Sequence, residues 1–429
     1  MPTTFDHPLR VLHITSSLRG GAGLGLRRLH ESLLSSRLDS HVLCHSADDA
    51  ESVPNVHVRP ALRPVDRIRR LPPAALSALR IWNSPRLAGQ KASRTVNRQW
   101  GKFFHTGLSA FHLDGERCVD EADVIHLHWV GEFLDVPSFF RRVRKPIVWT
   151  LRDEWPLIGG FHYRTDVPTD LPDWIAKIDA QSRQLKENAY RNHENLAFVS
   201  LSGAMAAFAR GTPAGNGREV CVIPNPVDGT LFRPGGGSAI RREFGIEDDA
   251  TVISFVAQRI NGERKGLPTL LSAASALNLR KPVVLCVGNG DPPTGVPSRI
   301  RVVCTGPVSE PTRLSAIYDA SDVFASPSRA ESFGKTLTEA LACGVPVVSC
   351  PNDGAMDIVR DADGVLSSDY SPESFAVALQ EALSRSFDAE RLRRETLSRF
   401  SPEAVARRHA ELYSRLLGAV SQQHGLDEP

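Results

Sequence analysis

Two glutamates in the second half of the chain, Glu331 and Glu339, flank the start of a predicted helix. The apolar residues whose spacing predicts this helix, from about Gly334 onward, are Leu337, Ala340 and Leu341. The first amides of a helix lack partners within it and favour an anion. The two carboxylates can therefore hold different hydroxyl groups of one long ligand. The helix dipole alone would explain an acid at Glu331 but not at Glu339.

A second charged loop follows the strand predicted at residues 251–256. Arg259 and Lys265 lie on this loop, and Gly266 and a predicted helix come after them. Two cations on one loop can bind a diphosphate through charge-assisted hydrogen bonds, which are worth about 1.5–3 kcal/mol each. A solvated, charged turn is the alternative interpretation of this loop.

Two histidines, His126 and His128, lie two residues apart in a predicted strand and therefore point to the same face. They could form a metal or acid–base pair, or one could be hydrogen-bonded in the core while the other lines a cleft. The second interpretation is favoured because the sequence shows no third ligand. The cysteines are dispersed and form no C-x-x-C pair, which argues against structural zinc. No metal is expected.

These residues lie on a chain that alternates strands and helices, as is typical of doubly wound parallel sheets. A strand, a Gly-rich turn at residues 20–25 and a helix open the first half, and a second series begins with the strand at 251–256. We expect an α/β fold of two domains, with a linker near residues 203–225. Ligands of such sheets bind at the carboxyl ends of strands, which is where both charged loops fall.

Composition narrows the classes of function. The chain has 429 residues, of which 51 are basic and 49 acidic, giving a net charge of +2. No nucleic-acid partner is expected, because a global basic field is absent. No apolar run approaches the ~18–20 residues that span a bilayer, and residues 1–10 show no secretory signal. Together with the dispersed cysteines, this predicts a cytoplasmic protein.

The segment 59–102 is strongly basic, with Asp66 as its one acidic residue. Apolar residues recur in it at about helical spacing, which predicts an amphipathic surface. This surface could contact an anionic membrane, gaining about 1 kcal/mol per suitably placed Arg or Lys, or it could be a solvated helical face on the first domain. Membrane contact would place the protein at the inner face of the cytoplasmic membrane.

Several motifs together resemble the retaining glycosyltransferases of family 4. In the second half they are the Glu-x7-Glu pair, Arg259 with Lys265, IPNPVD at 223–228 and LFRP at 231–234. In the first half, HLHW at 126–129 and WTLRDEWP at 149–156 are similar to a subgroup that includes colanic-acid-type exopolysaccharide glycosyltransferases. The resemblance covers most of the chain.

The resemblance implies the GT-B fold, in which two Rossmann-like α/β domains face each other across a cleft. Residues 1–205 would form the acceptor-side domain, and residues 206–400 would form the domain that binds a nucleotide sugar. The helix predicted in residues 401–429 would cross back to the first domain.

The resemblance also implies the residues of a site. Arg259 and Lys265 would hold the nucleotide diphosphate, and Glu339 would accept hydrogen bonds from the ribose. Glu331 would bind the sugar ring and stabilise the reacting geometry. The other implied donor-binding residues are Gly20, Gly21, Phe333, Gly334, Lys335 and Thr336. Cations and helix amides would offset the charge that develops on the leaving diphosphate, without a metal or other cofactor.

The chain departs from the family pattern at one position. Family members often carry a histidine immediately before Asp153, where this chain has Arg152. An arginine is not an ordinary proton shuttle, but it can clamp a phosphate or an acceptor carboxylate. Arg152 and Asp153 are therefore catalytic candidates with Glu331, and His128 and Trp129 are candidates on the acceptor side.

The function that the resemblance implies is retaining, metal-independent transfer of a sugar from a nucleotide-diphosphate sugar to a glycan. The glycan would grow on a polyprenyl lipid, in surface polysaccharide biosynthesis. A small natural product is the alternative acceptor. A non-catalytic protein of the same fold that binds a nucleotide sugar or a lipid is a further alternative, which Arg152 keeps open.

Two other enzyme classes fit the sequence less well. A nicotinamide dehydrogenase needs a G-x-G-x-x-G fingerprint, but Leu26 stands where its last glycine would fall. A metal-dependent GT-A transferase needs an acidic D-x-D motif, and Asp361-Ala-Asp363 has this pattern. That segment lies in a polar stretch before Gly364, which favours a loop.

Overall fold

The residues that the computed structural model describes are 8–46, 53–59 and 84–424. Contacts divide the chain into two compact units. The first comprises Met1–Ile223 and Ala406–Pro429, and the second comprises Pro224–Val405, each as far as it is described. Much of the basic segment 59–102, including the apolar residues whose spacing predicts its amphipathic surface, falls outside the described ranges.

The first unit is built on a parallel sheet of seven described strands. They are β1 (Arg10–Ser17), β2 (Asp39–Ser46), β3 (Val56–Val58), β4 (Val124–Leu127), β5 (Ile147–Leu151), β6 (Leu196–Ser200) and β7 (Val220–Val222). Their spatial order is β3-β2-β1-β4-β5-β6-β7, with parallel pairing throughout. β4, β5 and β6 are buried along their whole length, as expected for strands that helices cover on both faces.

Two of the helices of the first unit begin where a short polar side chain caps them. Those that lie before residue 223 are α1 (Gly20–Ser35), α2 (Pro85–Trp100), α3 (Arg117–Glu121), α4 (Val136–Arg142), α5 (Asp173–Arg191) and α6 (Gly203–Gly211). The Asp135 carboxylate accepts from the Ser138 amide at 3.3 Å to cap α4, and the Ser202 hydroxyl accepts from the Met205 amide at 3.3 Å to cap α6. Large aromatic side chains that fill the core are Phe139, Phe140, Trp149, Tyr190 and Phe198.

The second unit repeats this architecture with six described strands. They are β8 (Val252–Arg259), β9 (Val283–Asn289), β10 (Arg301–Gly306), β11 (Val323–Ser326), β12 (Val347–Ser349) and β13 (Gly364–Leu366). Their order is β10-β9-β8-β11-β12-β13, again parallel. Its helices are α7 (Gly237–Glu243), α8 (Leu267–Ala276), α9 (Pro311–Asp319), α10 (Lys335–Ala342), α11 (Asp353–Ile358), α12 (Pro372–Ser384) and α13 (Ala389–Phe400).

The last helix, α14 (Pro402–His424), belongs to both units. It starts in the second unit, and from Ala406 onward it is part of the first. Its Tyr413 is fully buried there. Within the described ranges, none of the helices has both the length and the apolar character needed to cross a membrane.

The predicted α/β class with two doubly wound, Rossmann-like sheets is confirmed. The expected linker near residues 203–225 is wrong, because this stretch contains α6 and the edge strand β7. Three residues are too short a strand to stand out in the sequence, and a boundary between residues 205 and 206 would cut α6. The division instead falls at Pro224, where the turn-rich segment begins. The Gly-rich stretch from Gly20 is not a separate turn but the start of α1.

Candidate functional site

Lys265 and Glu331 form an ion pair in the second unit. Lys265 ends the 3-10 turn that follows β8, and Glu331 follows β11, the neighbour of β8 in the sheet. The Lys265 Nζ contacts Oε1 of Glu331, and the two side chains are 26% and 22% exposed. Carboxyl ends of neighbouring parallel strands meet at one edge of a sheet, so the two predicted charged loops are brought together there.

Gly266 lets these two loops approach closely. It has a φ of +75°, and a Cβ atom at this position would fall 2.4 Å from the carbonyl oxygen of Pro327. The adjacent Arg264 carbonyl accepts hydrogen bonds from the Ser328 hydroxyl at 3.2 Å and from the Arg329 amide at 2.9 Å. The loop after β8 is therefore fixed against the loop after β11, and a side chain at position 266 would separate them.

The start of α10 lies four residues after Glu331. Gly334 precedes the helix with a φ of +89°, and a glycine has no side chain with which to cap the first amides. Lys335 and Thr336, the first two helical residues, are half-buried. Phe333 is buried, and the backbone of Gly354 packs on it so closely that an added Cβ would fall 2.2 Å from the Phe333 carbonyl oxygen. This arrangement presents first-turn amides next to a carboxylate and a cation.

Glu339 lies inside α10, as predicted, and is buried. The Tyr318 hydroxyl, on α9, donates a hydrogen bond to its Oε2 at 3.1 Å. Arg259 is the last residue of β8 and is exposed. The carboxyl edge of the second sheet therefore holds Arg259, Lys265 and Glu331, and Glu339 lies on the helix that begins at this edge.

Gly20 and Gly21 open α1 in the first unit, and both are exposed. A Cβ atom at Gly20 would meet nothing within 4 Å, whereas one at Gly23 would fall 2.2 Å from the Leu18 backbone. Gly23 is thus required by the packing of the helix on the end of β1. The open space at Gly20 is what the predicted approach of this backbone to a diphosphate would need.

Asp153 is the centre of a buried polar cluster beyond β5. Its Oδ2 lies 2.6 Å from Nδ1 of His162 and accepts from the Trp129 indole N–H at 3.1 Å. Its Oδ1 accepts from the Trp155 amide at 3.1 Å. Three polar groups therefore surround one carboxylate. The predicted acceptor-side residue Trp129 and the predicted catalytic residue Asp153 are therefore in direct contact.

The cluster continues through two histidines that sequence reasoning did not assign to the site. Nε2 of His162 lies 2.7 Å from Nδ1 of His105, and Nε2 of His105 lies 3.8 Å from the exposed carboxylate of Glu132. Burial lowers the pKa of His105 to about 3. His162 follows the pair Gly159-Gly160 in the sequence, and no sequence signal connects His105 to it.

Arg152 lies among buried histidines rather than at the surface. Its Nη2 donates to Nδ1 of His128 at 3.1 Å, and Nε2 of His128 lies 2.9 Å from Nδ1 of His13. An arginine can only donate, so Nδ1 of His128 accepts and Nε2 of His128 donates to His13. Burial lowers the pKa of Arg152 to about 9 and holds the pKa of both histidines well below its ordinary value.

The predicted pair His126 and His128 gains a third member in His13, which faces His126 across β1 and β4. The ring nitrogens of the three lie within 4.8 Å of one another, an arrangement that could hold a metal ion. His126 is instead bonded through both nitrogens, to Thr150 at 2.7 Å and to the Tyr413 hydroxyl at 2.7 Å. With the Arg152 guanidinium beside His128, the geometry favours a hydrogen-bonded core over a cation site.

The D-x-D segment has a structural role. Asp361-Ala-Asp363 lies in the turn that leads into β13, and Asp363 is buried. Its Oδ2 accepts from the Arg360 amide and from Nη1 of Arg399, both at 3.3 Å. These contacts tie α13 to the turn, which agrees with the predicted loop.

Comparisons with known proteins agree with this fold. The family Glycosyl transferases group 1 matches residues 250–385. D-inositol 3-phosphate glycosyltransferase 2 of Catenulispora acidiphila is 31% identical over 352 residues, which cover 72% of this chain and 78% of that protein. D-inositol 3-phosphate glycosyltransferase of Segniliparus rotundus is 34% identical over 212 residues, but the match covers 45% of this chain and 46% of that protein. The chain therefore belongs to the group 1 glycosyltransferases.

A solved structure supports the same architecture. Anabaena HepE in complex with UDP-glucose superimposes with a TM-score of 0.61 at 18% identity, covering 95% of this chain and 100% of that one. The predicted membership in a GT-B glycosyltransferase family is thus confirmed. The two relatives named above are inositol-phosphate enzymes, so they do not support the finer resemblance to colanic-acid-type enzymes.

Proposed function

We propose that the chain transfers a sugar from a nucleotide-diphosphate sugar to a hydroxyl group of an acceptor, with retention of anomeric configuration and without a metal cofactor. The observation that carries the proposal is the meeting of Lys265, Glu331 and the Gly334 helix start at one edge of the second sheet. A cation, a carboxylate and a helix N-terminus at one edge suit a ligand that has both phosphates and sugar hydroxyls.

The donor would be held from its two ends. Lys265 and Arg259 would bind the diphosphate together with the first amides of α10. Glu339 would accept from the ribose hydroxyls, and the Tyr318 hydroxyl on its Oε2 fixes the orientation of that carboxylate. Glu331 would bind the sugar ring, where its ion pair with Lys265 holds it in place before the ligand arrives.

The chemistry follows from charge. Departure of the diphosphate builds negative charge on its oxygens, and fixed cations with preorganised amides stabilise that charge without reorganising. Attack on the face from which the diphosphate leaves would retain the anomeric configuration. Lys265 and the α10 amides can supply the stabilisation that a metal provides in other transferases, so we propose no metal for the reaction.

Two acceptor classes are proposed. The names of the two relatives favour a small phosphorylated polyol of the inositol phosphate type. The basic segment 59–102 favours a polyprenyl-linked glycan at an anionic membrane, as in surface polysaccharide biosynthesis. Transfer assays with both acceptors, and co-sedimentation with anionic liposomes at low and high salt, separate the two. Binding to liposomes that does not depend on the charge of the lipid would contradict the hypothesis of a membrane-linked acceptor.

A thermal-shift screen of the full chain with UDP-, GDP-, TDP- and ADP-sugars tests the donor. A ligand present at 100 times its dissociation constant adds about 2.7 kcal/mol of stability, which such a screen detects. The matching nucleosides, which lack the diphosphate, serve as controls and should give no shift. Equal shifts for nucleosides and nucleotide sugars, or no shift with any of them, would contradict the proposal.

Variants of the two glutamates should have different effects in a transfer assay. Glu331→Ala is expected to abolish transfer, because it removes the carboxylate at the reacting sugar. Glu339→Ala is expected mainly to raise the KM for the donor, because it removes the ribose contact. Activity is measured with and without EDTA. Full turnover of the Glu331 variant would refute the role of that carboxylate, and loss of wild-type turnover in EDTA would refute a metal-independent reaction.

A further inference from the structure

A cavity of about 290 Å³ lies in the first unit between α2 and the chain at residues 104–111. Arg86 and Arg94 from α2 line one side, and His105 and Glu132 line the other. The volume is at the lower end of the range for small-molecule sites, about 300–1,000 Å³. This size suits one small polar ligand and is too small for several sugar units.

The walls of this cavity are fixed by close packing. A Cβ atom at Gly89 of α2 would fall 2.6 Å from the Thr106 side chain, and one at Gly131 would fall 2.9 Å from Nδ1 of His105. The His105 backbone is bonded on both sides, since its amide donates to the Gly160 carbonyl at 2.8 Å and its carbonyl accepts from the Trp155 indole at 2.6 Å. The backbone at His105 is therefore held in place, and the imidazole is bonded to His162 through Nδ1.

The hydrogen bonds behind His105 determine which of its nitrogens carries the proton. The ionised Asp153 carboxylate only accepts, so Nδ1 of His162 donates to it. Trp129 lies 3.1 Å from the carboxylate and 3.4 Å from Nδ1 of His162, so the carboxylate is its acceptor. Nε2 of His162 then accepts from Nδ1 of His105 at 2.7 Å, which leaves Nε2 of His105 as an acceptor at the cavity.

Glu132 supplies a second acceptor from a strained backbone position. Its carboxylate is 72% exposed and lies 3.8 Å from Nε2 of His105, too far for a direct hydrogen bond. Its φ of +61° is in the left-handed region, which non-glycine residues rarely adopt and which clusters at ligand sites. Two acceptors at this separation match the two donors of a vicinal diol.

We propose that this cavity binds the acceptor of the transfer reaction, a small polyol with one anionic group. Neighbouring hydroxyls donate to His105 and Glu132, and the anionic group lies at the arginines of α2. Asp153 and His162 are positioning residues that hold His105 in the accepting tautomer. This assignment rests on the proposed function, and it selects the small acceptor over the polyprenyl-linked glycan.

Calorimetric titration of the full chain tests this assignment, with and without saturating UDP. The probes are D-inositol 3-phosphate, uncharged myo-inositol and inorganic phosphate. Binding is expected to be tightest for D-inositol 3-phosphate, because it alone offers both the hydroxyls and the anion. Equal affinity for inorganic phosphate would overturn the polyol part of the proposal, and binding of none of the probes would overturn all of it.

Variants of the residues that line the cavity test which of them contact the ligand. Arg94→Gln and Glu132→Gln should each weaken binding of D-inositol 3-phosphate about tenfold, the loss of one hydrogen bond to a charged group. Arg183→Gln, an exposed arginine of α5 away from the cavity, is the matched control and should bind as the wild type does. Wild-type affinity in Arg94→Gln and Glu132→Gln would place the ligand elsewhere.

Asp153→Asn tests the relay itself. The oxygen of the new amide takes the hydrogen bond from the Trp155 amide, so its NH2 group faces Nδ1 of His162 and donates to it. This reverses both hydrogen bonds and turns Nε2 of His105 into a donor. Polyol binding should fall about tenfold with the fold retained, and the ¹⁵N resonance of His105 Nε2 should change from that of a bare to that of a protonated nitrogen. An unchanged resonance would refute the relay. Nucleoside-diphosphate affinity, measured on the same samples, reports separately on the proposed function.

Discussion

Replacing Lys265 by alanine is expected to weaken the binding of nucleoside diphosphates about 10- to 100-fold. The variant loses one charge-assisted hydrogen bond to the diphosphate, worth about 1.5–3 kcal/mol. Since each ~1.4 kcal/mol changes a dissociation constant tenfold, this loss sets the range. The full loss is expected because the ion pair with Glu331 fixes Lys265 at the edge of the sheet.

A second effect of the change involves Glu331. Without Lys265, the Glu331 carboxylate repels the diphosphate, and its side chain is 22% exposed, so water screens the charge. Two unit charges about 4 Å apart interact by about 1 kcal/mol in water. Glu331→Gln introduced into the Lys265→Ala variant should therefore recover about fivefold of the lost affinity.

Isothermal titration of the full chain with UDP, GDP, TDP and ADP measures these values. Arg313→Ala is the matched control, because it breaks an ion pair of the same unit, with Nη2 of Arg313 2.6 Å from Oε1 of Glu243 on helix surfaces. That variant should bind each nucleotide as the wild type does. A Lys265→Ala variant whose dissociation constants stay within twofold of the wild type would refute a contact between Lys265 and the diphosphate.

Three further predictions concern stability. Gly306→Ala, at a φ of +72° with open space around it, should lower the free energy of unfolding by about 1 kcal/mol. Gly266→Ala should lower it further, because its added methyl group also overlaps the neighbouring loop. Urea denaturation measures both losses, and equal losses would contradict the close approach of the loops. Tyr413→Phe removes the hydroxyl bonded to His126 and should lower the free energy of unfolding by about 0.5–1.5 kcal/mol in the same assay. An unchanged free energy of unfolding would show that this hydrogen bond does not stabilise the fold. The free energy of unfolding should also fall as the pH decreases below about 6.5, because histidines bind protons in the unfolded chain at a pH where the buried histidines stay neutral. For His105, with a folded pKa of about 3, the contribution to stability is present above pH 6.5 and is lost progressively toward pH 3, at about 1.4 kcal/mol per pH unit. A free energy of unfolding that does not change between pH 7 and pH 5 would contradict this prediction.

The sequence predicts the sheets well because buried parallel strands are continuous apolar runs. β4, β5, β8 and β9 are each mostly apolar and mostly buried. The short strands β7 and β13 escape prediction, since three residues with a mixed pattern of burial carry too little periodicity. Their position is determined by pairing with a neighbouring strand, which is a long-range property.

The second unit's candidate site is predictable in outline because most of its residues lie on short loops after strands. From spacing alone, Lys265 and Glu331 could be placed at the carboxyl edge of a parallel sheet, and Glu339 inside the helix that follows Glu331. The ion pair between Lys265 and Glu331 could not, because it depends on which strands are neighbours in the sheet.

The first unit's polar clusters depend on strand register and are largely hidden in the sequence. His13 faces His126 because β1 and β4 pair in that register, although more than a hundred residues separate them. The contact between His105 and His162 likewise joins distant segments. The position of Arg152 could not be predicted either. The sequence allowed it to clamp a phosphate or a carboxylate, whereas its guanidinium contacts His128 in the buried interior.

Binding of a nucleotide sugar by its diphosphate, through fixed positive groups at the edge of the second sheet, underlies the proposed reaction. A crystal structure of the full chain soaked with the nucleotide sugar that gives the largest thermal shift shows directly where the diphosphate lies. We expect its oxygens within hydrogen-bond distance of the Lys265 Nζ and of the first amides of α10. A diphosphate bound away from both would contradict the proposed donor site.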